Sequence, residues 1–177
     1  CALEFLTFAD EEGRRVYRHT ASHVMAQAVK ALWPEAKLAI GPAIENGFYY
    51  DFDCDTAFST EDFKKIEKEM ERIVKANYPI VRSEKPRAEA IAYMQEKGEP
   101  YKVELIEDLP EDAVISFYTQ GDFTDLCTGP HLPSTGYVKA VKIMSVAGAY
   151  WRGSEKNMML QRLYATAFPK KADLDAY

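Results

Sequence analysis

Two short motifs contain every histidine of the chain. His19 and His23 stand four residues apart near the N-terminus, and Cys127 and His131 repeat that spacing far along the chain. A Gly-Pro pair separates the second two, and because proline disfavours helical angles in the residue before it, this motif predicts a tight turn at the end of a strand. Imidazole and thiol groups can bind zinc, act as general bases or act as nucleophiles. We therefore expect the two motifs to meet in one site.

Three chemistries are open to these side chains. Zinc held by His19, His23, Cys127 and His131 would activate water for hydrolysis. Without a metal, the histidines offer general bases and Lys102 offers a hydrogen-bond donor. Cys127 could also be a nucleophile paired with His131, although no separate oxyanion motif is visible. The plain alternative is that Cys127 is a buried structural thiol and Lys102 a surface lysine.

Composition narrows the class of protein. With 177 residues, 47% of them hydrophobic, the chain is long enough to bury a core in one domain or two lobes. A net charge of −6 makes it a poor candidate for holding nucleic acid by its phosphates alone, so another part of a larger protein would hold most of any RNA. No stretch predicts a membrane span or a secretory signal. The odd count of three cysteines favours a reducing cytoplasm over a disulfide framework.

The first histidine pair falls on a predicted helix. Helical periodicity runs from about Val16 to Trp33, where Pro34 ends it. We expect His19 and His23 to point away from the face that packs, because the apolar positions form a stripe on the other side. That stripe comprises Tyr17, Ala21, Val24, Met25, Ala28, Ala31 and Leu32.

The remaining pattern predicts an α+β fold, with antiparallel sheets backed by helices and the His-x-x-x-His helix facing the Cys-x-x-x-His turn in a cleft. Asn46-Gly47 marks the turn of a first hairpin. In a second hairpin, Phe123, Asp125 and Cys127 share one strand face, so a carboxylate and the thiol project together. The predicted strands are 37–53 (as a hairpin), 80–83, 114–119, 123–127, 138–146 and 159–168. Three further helices are predicted: from Ser59 or Thr60 to about Ala76, from Pro86 to Gly98, and a short one that starts at Pro100.

Taken together, the motifs resemble those of the editing domain of bacterial threonyl-tRNA synthetases, in the same order and spacing from about residue 14 to 168. A related domain occurs in alanyl-tRNA synthetases and their free-standing deacylase relatives. The motifs that carry the resemblance are His19-Thr20-Ala21-Ser22-His23, Ala39-Ile40-Gly41-Pro42, Asn46-Gly47-Phe48-Tyr49-Tyr50-Asp51, Asp125-Leu126-Cys127-Thr128-Gly129-Pro130-His131 and Ala147-Gly148-Ala149-Tyr150-Trp151-Arg152-Gly153.

The resemblance implies hydrolysis of the ester that joins wrongly loaded serine to the acceptor end of tRNA(Thr). Serine is threonine without a methyl group, and one methyl gives a binding site only about 1–3 kcal/mol of discrimination. A second site must therefore remove the error. The implied partners are tRNA(Thr) and the remainder of the synthetase. Two alternatives remain open, a zinc-dependent alanyl-type deacylase and a non-catalytic module that binds the acceptor end.

The resemblance also implies roles for individual residues. His19 and Lys102 would position or activate water, and Asp125 would recognise the serine amino or hydroxyl group. Tyr50 and Gly41 would contact the substrate, with Tyr50 near the terminal adenosine. The floor of the pocket would comprise His23, Cys127 and His131. No metal is required on this interpretation, and zinc, if it binds, would be held by His19, His23, Cys127 and His131.

The expected organisation follows from the extent of the resemblance. Residues 1–13 form a docking segment or linker, residues 14–168 form the editing domain, in one unit or two lobes, and residues 169–177 begin a linker to an absent catalytic core. Both an excised fragment and a natural free-standing editing protein fit this organisation.

Overall fold

A computed structural model describes all 177 residues and confirms the α+β class. Its helices are α1 Glu11–Leu32, α2 Thr60–Ala76, α3 Arg87–Glu96, α4 Pro100–Glu107 and α5 Lys171–Ala176. Its strands are β1 Lys37–Leu38, β2 Ala43–Ile44, β3 Gly47–Asp53, β4 Ile80–Glu84, β5 Ser116–Gln120, β6 Phe123–Leu126, β7 Ala140–Tyr150 and β8 Met159–Phe168. None of the helices combines the length and apolarity needed to cross a membrane.

The larger sheet is antiparallel and has the order β1-β3-β8-β7, with β2 also paired to β3. Strand β8 matches its predicted bounds. Strand β7 does not, because it continues beyond Val146 to Tyr150, and Ala147 pairs with Arg162 on β8. The small residues at 147–149, which follow the predicted end of the strand, are thus part of the ladder, since pairing with a long partner strand overrides their weak strand propensity.

The smaller sheet has the order β4-β5-β6 and is also antiparallel. It packs against α3 and α4 through a separate apolar cluster. That cluster comprises Ala90, Met94, Ile106, Ile115 and Phe117. Strand β6 ends at Leu126, one residue before the predicted end at Cys127, so Cys127 begins the loop that leaves this sheet.

Helix α1 lies in the centre of the main core, between α2 on one side and β3 and β8 on the other. The prediction that both histidines point away from the packed face is wrong for His23, which is only 3% exposed. Conversely Leu32, assigned to the apolar stripe, is 38% exposed. A helix that packs on two sides has no single solvent face, so a one-stripe interpretation of its periodicity fails here.

Local signals fixed the ends of other elements well. Ser59 precedes α2 in a capping box, in which its hydroxyl accepts from the backbone of Asp62 and the Asp62 carboxylate accepts from the Ser59 backbone.

Near the N-terminus, Phe8 packs edge-on against Tyr17 and also contacts Phe168. These contacts attach the segment before α1 to the main core.

Candidate active site

The two histidine motifs meet, as the sequence predicted. The Sγ atom of Cys127 lies 3.6 Å from Nε2 of His19 and 3.2 Å from Nε2 of His131. The ring centroid of His131 lies 4.4 Å from that of His23. One ligand atom from each of the four residues falls within 4.8 Å of the others. Three imidazoles and one thiol therefore form a single cluster.

The turn that presents Cys127 and His131 depends on glycine. Gly129 has a positive φ of 71°, and a Cβ at this position would collide with the hydroxyl of Tyr118. The backbone N–H of Gly129 donates to Sγ of Cys127 over 3.2 Å. The loop thus holds the thiol toward α1, where His19 and His23 share a face one helical turn apart.

Thr20 orients the His131 ring, and sequence reasoning missed this role. Its hydroxyl oxygen lies 3.0 Å from Nδ1 of His131 and accepts from the backbone N–H of Leu132 at 3.0 Å. With Nδ1 engaged in this way, Nε2 of His131 faces Cys127. The available signal was the position of Thr20 between the two α1 histidines, where a buried hydroxyl requires a partner.

A second polar network adjoins the first. Nζ of Lys102 lies 3.0 Å from Oδ1 of Asp125 and donates to the hydroxyl of Tyr50 over 3.0 Å. The Tyr50 hydroxyl in turn donates to Oδ2 of Asp125 over 2.6 Å. Nδ1 of His23 lies 3.7 Å from the same Oδ2 atom, which joins the two networks. Asp125 and Lys102 are almost fully buried, so water screens their interaction weakly.

Burial controls the protonation of the cluster. Desolvation lowers the pKa of His19, and it holds the pKa values of His23 and His131 well below their usual range. The same effect raises the pKa of the Cys127 thiol to about 11. At neutral pH the imidazoles are neutral bases and the thiol is protonated, which makes Cys127 a weak nucleophile.

An open cleft of about 410 Å³ gives access to both networks. His19, His23, Lys102, Asp125 and Cys127 contribute to its walls, and Gly41 and Tyr50 line it as well. His131 is outside the lining, but its ring centroid lies 4.6 Å from that of His19 and 4.4 Å from that of His23. The residues that sequence analysis assigned to the site therefore line one cleft, except His131, whose ring adjoins those of His19 and His23.

The Gly41 loop and Tyr50 constrain each other. A Cβ at position 41 would collide with the Tyr50 ring, so only glycine fits there. The hydroxyl of Ser22, on α1, lies 2.8 Å from the Gly41 carbonyl and holds the loop at the cleft. The Tyr50 ring also stacks on Phe52, with centroids 5.1 Å apart, and the residue is 1% exposed. What Tyr50 offers at the cleft is therefore chiefly its hydroxyl group.

Helix α4, which carries Lys102, is held from behind by the aromatic motif near the end of β7. The indole N–H of Trp151 donates to Oε2 of Glu104 over 3.1 Å. Tyr101 packs edge-on against Trp151 and donates its hydroxyl to Asp53 over 2.7 Å. Through these contacts the motif at 147–153, which does not line the cleft, supports the helix that carries Lys102.

The donor set of the cluster fits zinc. Neutral imidazoles and a thiol are the ligands of tetrahedral zinc sites, and Thr20 supplies the outer hydrogen bond that such a His131 ligand requires. Zinc bound by three of these residues would supply a Lewis acid and an activated water, whereas coordination by all four would close the site to water.

Part of the chain matches a known protein family. Residues 115–164, which include Asp125, Cys127 and His131, match the family described as the threonyl and alanyl tRNA synthetase second additional domain. The site thus lies partly within the stretch of the chain that matches this family.

The whole chain is similar to threonine–tRNA ligases. It is 68% identical to that of Acetivibrio thermocellus over 177 residues, which are 100% of this chain and 28% of the ligase. Identity is 69% over 99% of this chain for Syntrophomonas wolfei and 70% over 99% for Clostridium tetani, covering 28% and 27% of those ligases. The chain thus spans 28% or less of the length of these relatives, and its resemblance to the editing domain of threonyl-tRNA synthetases is confirmed.

Proposed function

We propose that this cleft hydrolyses the ester bond of serine wrongly attached to tRNA(Thr). The observation that carries the proposal is the convergence of neutral imidazoles and the Lys102–Asp125 pair in one open cleft. The similarity of the entire chain to threonine–tRNA ligases supports it.

In the proposed reaction His19 is the general base. It lines the cleft and is the most open of the residues in the α1 motif, since His23 is buried. The neutral imidazole takes a proton from water as the water oxygen bonds to the ester carbonyl carbon. Collapse of the tetrahedral intermediate breaks the bond to the ribose oxygen, which receives the proton from His19. The products are free serine and tRNA with its terminal hydroxyl restored.

Lys102 supplies the positive charge that the transition state requires. Of the three N–H donors of its ammonium group, one faces Asp125 and one faces the Tyr50 hydroxyl. The third is free to stabilise the oxyanion that forms on the carbonyl oxygen. Tyr50 acts here as a positioning residue, because its hydroxyl holds both members of the ion pair.

Asp125 supplies the negative charge that attracts the serine ammonium group. Its two oxygens already accept from Lys102 and Tyr50, but a carboxylate has about four acceptor positions and so retains capacity. Serine would enter while threonine is excluded by a close wall at the position of its methyl group. The fixed Gly41 loop, with no room for a Cβ, is one wall of the cleft that cannot easily move.

The test compares release of serine from Ser-tRNA(Thr) with release of threonine from Thr-tRNA(Thr). We expect hydrolysis of the first only, and a loss of roughly 100-fold or more in His19→Ala and Lys102→Ala. Lys64→Ala, on the exposed surface of α2, is the matched control and should behave like the unmodified chain. Equal cleavage of the two substrates would refute proofreading, and full activity of both site variants would refute the assigned roles.

The donor cluster favours one other candidate, a zinc-dependent deacylase of the alanyl type. It predicts stoichiometric zinc in the purified chain and activity that a chelator removes. A non-catalytic acceptor-end module predicts binding of tRNA without hydrolysis at any protein concentration.

A further inference from the structure

A second and larger hollow, of about 860 Å³, lies beside the cleft. It is bounded by the first turns of α1, the turn that follows β2, and α5 with the end of β8. Arg15 and Ala43 line both hollows, so the two adjoin at these residues. A ligand that extends out of the cleft past Arg15 would enter this second hollow.

Arg18 lines the second hollow, and its guanidinium group is buried without an ion pair. The residue is 5% exposed, and its guanidinium lies over the rings of Phe8 and Phe168, at 5.3 and 5.2 Å from their centroids. Its Nε atom is buried and has no hydrogen-bond partner, and no carboxylate lies within ion-pair distance of the group. Burial of an unpaired charge is costly, so an anion bound here would remove a penalty that the free protein carries.

Arg14 reinforces this positive region. It precedes Arg18 by one helical turn and lines the same hollow without an ion pair. Arg15, by contrast, is paired with Glu12 at 2.7 Å. Acidic residues also line the hollow, but none of them pairs with Arg14 or Arg18; they are Glu11, Glu45 and Asp173.

We propose that Arg14 and Arg18 form a subsite for a phosphodiester of the RNA strand whose esterified end occupies the cleft. The inference rests on the proposed function, since it uses the strand that must leave the cleft. A planar guanidinium matches the oxygens of a phosphate, and the two rings hold that of Arg18 in place. A site for one or two phosphates also agrees with the acidic net charge of −6, which leaves most of the tRNA to be held elsewhere.

The experiment uses two serine esters, Ser-tRNA(Thr) and serine esterified to adenosine, which has no phosphate. The variants are Arg14→Gln and Arg18→Met, with Arg72→Gln, an arginine paired with Glu69 on the surface of α2, as control. We expect KM for Ser-tRNA(Thr) to rise roughly tenfold in each variant while kcat is maintained. The salt dependence of tRNA binding should weaken by about one unit of slope for each arginine removed. Hydrolysis of the adenosine ester should not change.

Two results would overturn the subsite. An unchanged KM and salt slope for Ser-tRNA(Thr) would show that the hollow does not contact RNA and receives a protein segment or nothing. Equal losses on both esters, with Arg18→Lys no better than Arg18→Met, would show that Arg18 only maintains the fold. If the unmodified chain hydrolyses neither ester, the proposed function fails, and the salt slope of tRNA binding by the same variants still decides the subsite.

Discussion

The Nζ atom of Lys102 lies 3.0 Å from Oδ1 of Asp125, in a position where both side chains are almost fully enclosed. The pair joins α4 to β6 at the wall of the cleft. A buried ion pair contributes little net stability relative to apolar residues of the same size, but loss of one partner leaves a charge without compensation. The pair therefore fixes the position of an ammonium group more than it stabilises the fold.

Lys102→Met and Asp125→Asn should each lower the free energy of unfolding by about 3–5 kcal/mol, because each leaves one buried charge alone. Urea denaturation monitored by circular dichroism measures the loss. The combined variant should lose clearly less than the sum of the two, since no unpaired charge remains, while all three variants lose ester hydrolysis. Strictly additive losses would show that the two groups do not interact.

Gly41→Ala should destabilise the chain by about 1–3 kcal/mol and reduce hydrolysis, because the added methyl group must displace the Tyr50 ring. Thermal unfolding and the deacylation rate measure the two effects. The control is the same substitution in a Tyr50→Ala background, where the ring is absent and the extra loss should vanish. If Gly41→Ala lowers stability and the deacylation rate by the same amount in that background, the added methyl group does not collide with the Tyr50 ring.

Asp62→Asn should cost about 1 kcal/mol at pH 7 by weakening the α2 capping box. The backbone N–H of Ser59 lowers the pKa of Asp62, so the carboxylate contributes stability above its unfolded pKa. That contribution is lost as the pH falls through the lower folded value, and the difference between variant and unmodified chain should shrink in strong acid. Glu61→Gln, which removes a neighbouring carboxylate outside the cap, is the control. A difference that is constant down to pH 2, measured by urea denaturation, would contradict the assignment.

Extended dialysis against a chelator should leave ester hydrolysis unchanged, because the proposed reaction uses side chains of the protein and a water molecule and no metal ion. The unfolding temperature of the same samples should also stay unchanged. A closed zinc site would contribute folding energy, so removal of its metal would lower that temperature. Loss of activity that added zinc restores would instead favour the alanyl type of deacylase.

Local chemistry made much of the fold predictable. Strand β8 was bounded correctly, and α2 was bounded correctly by its capping residue, whose hydrogen bonds act over a few neighbouring residues. Pro100 likewise marked the start of α4, which carries Lys102. The turn at Gly129 followed from the Gly-Pro pair that no helix accommodates.

The sequence by itself thus determined which side chains could do chemistry and that they fall in two motifs, since residue type and spacing are properties of the chain. Only the tertiary structure decided how they are oriented and ionised. Thr20 contacts His131 across 111 positions, and His23 is buried because α1 packs on two sides. Hydrogen bonds between distant segments and the exclusion of water arise only when the sheets and helices close on one another, so no local pattern records them.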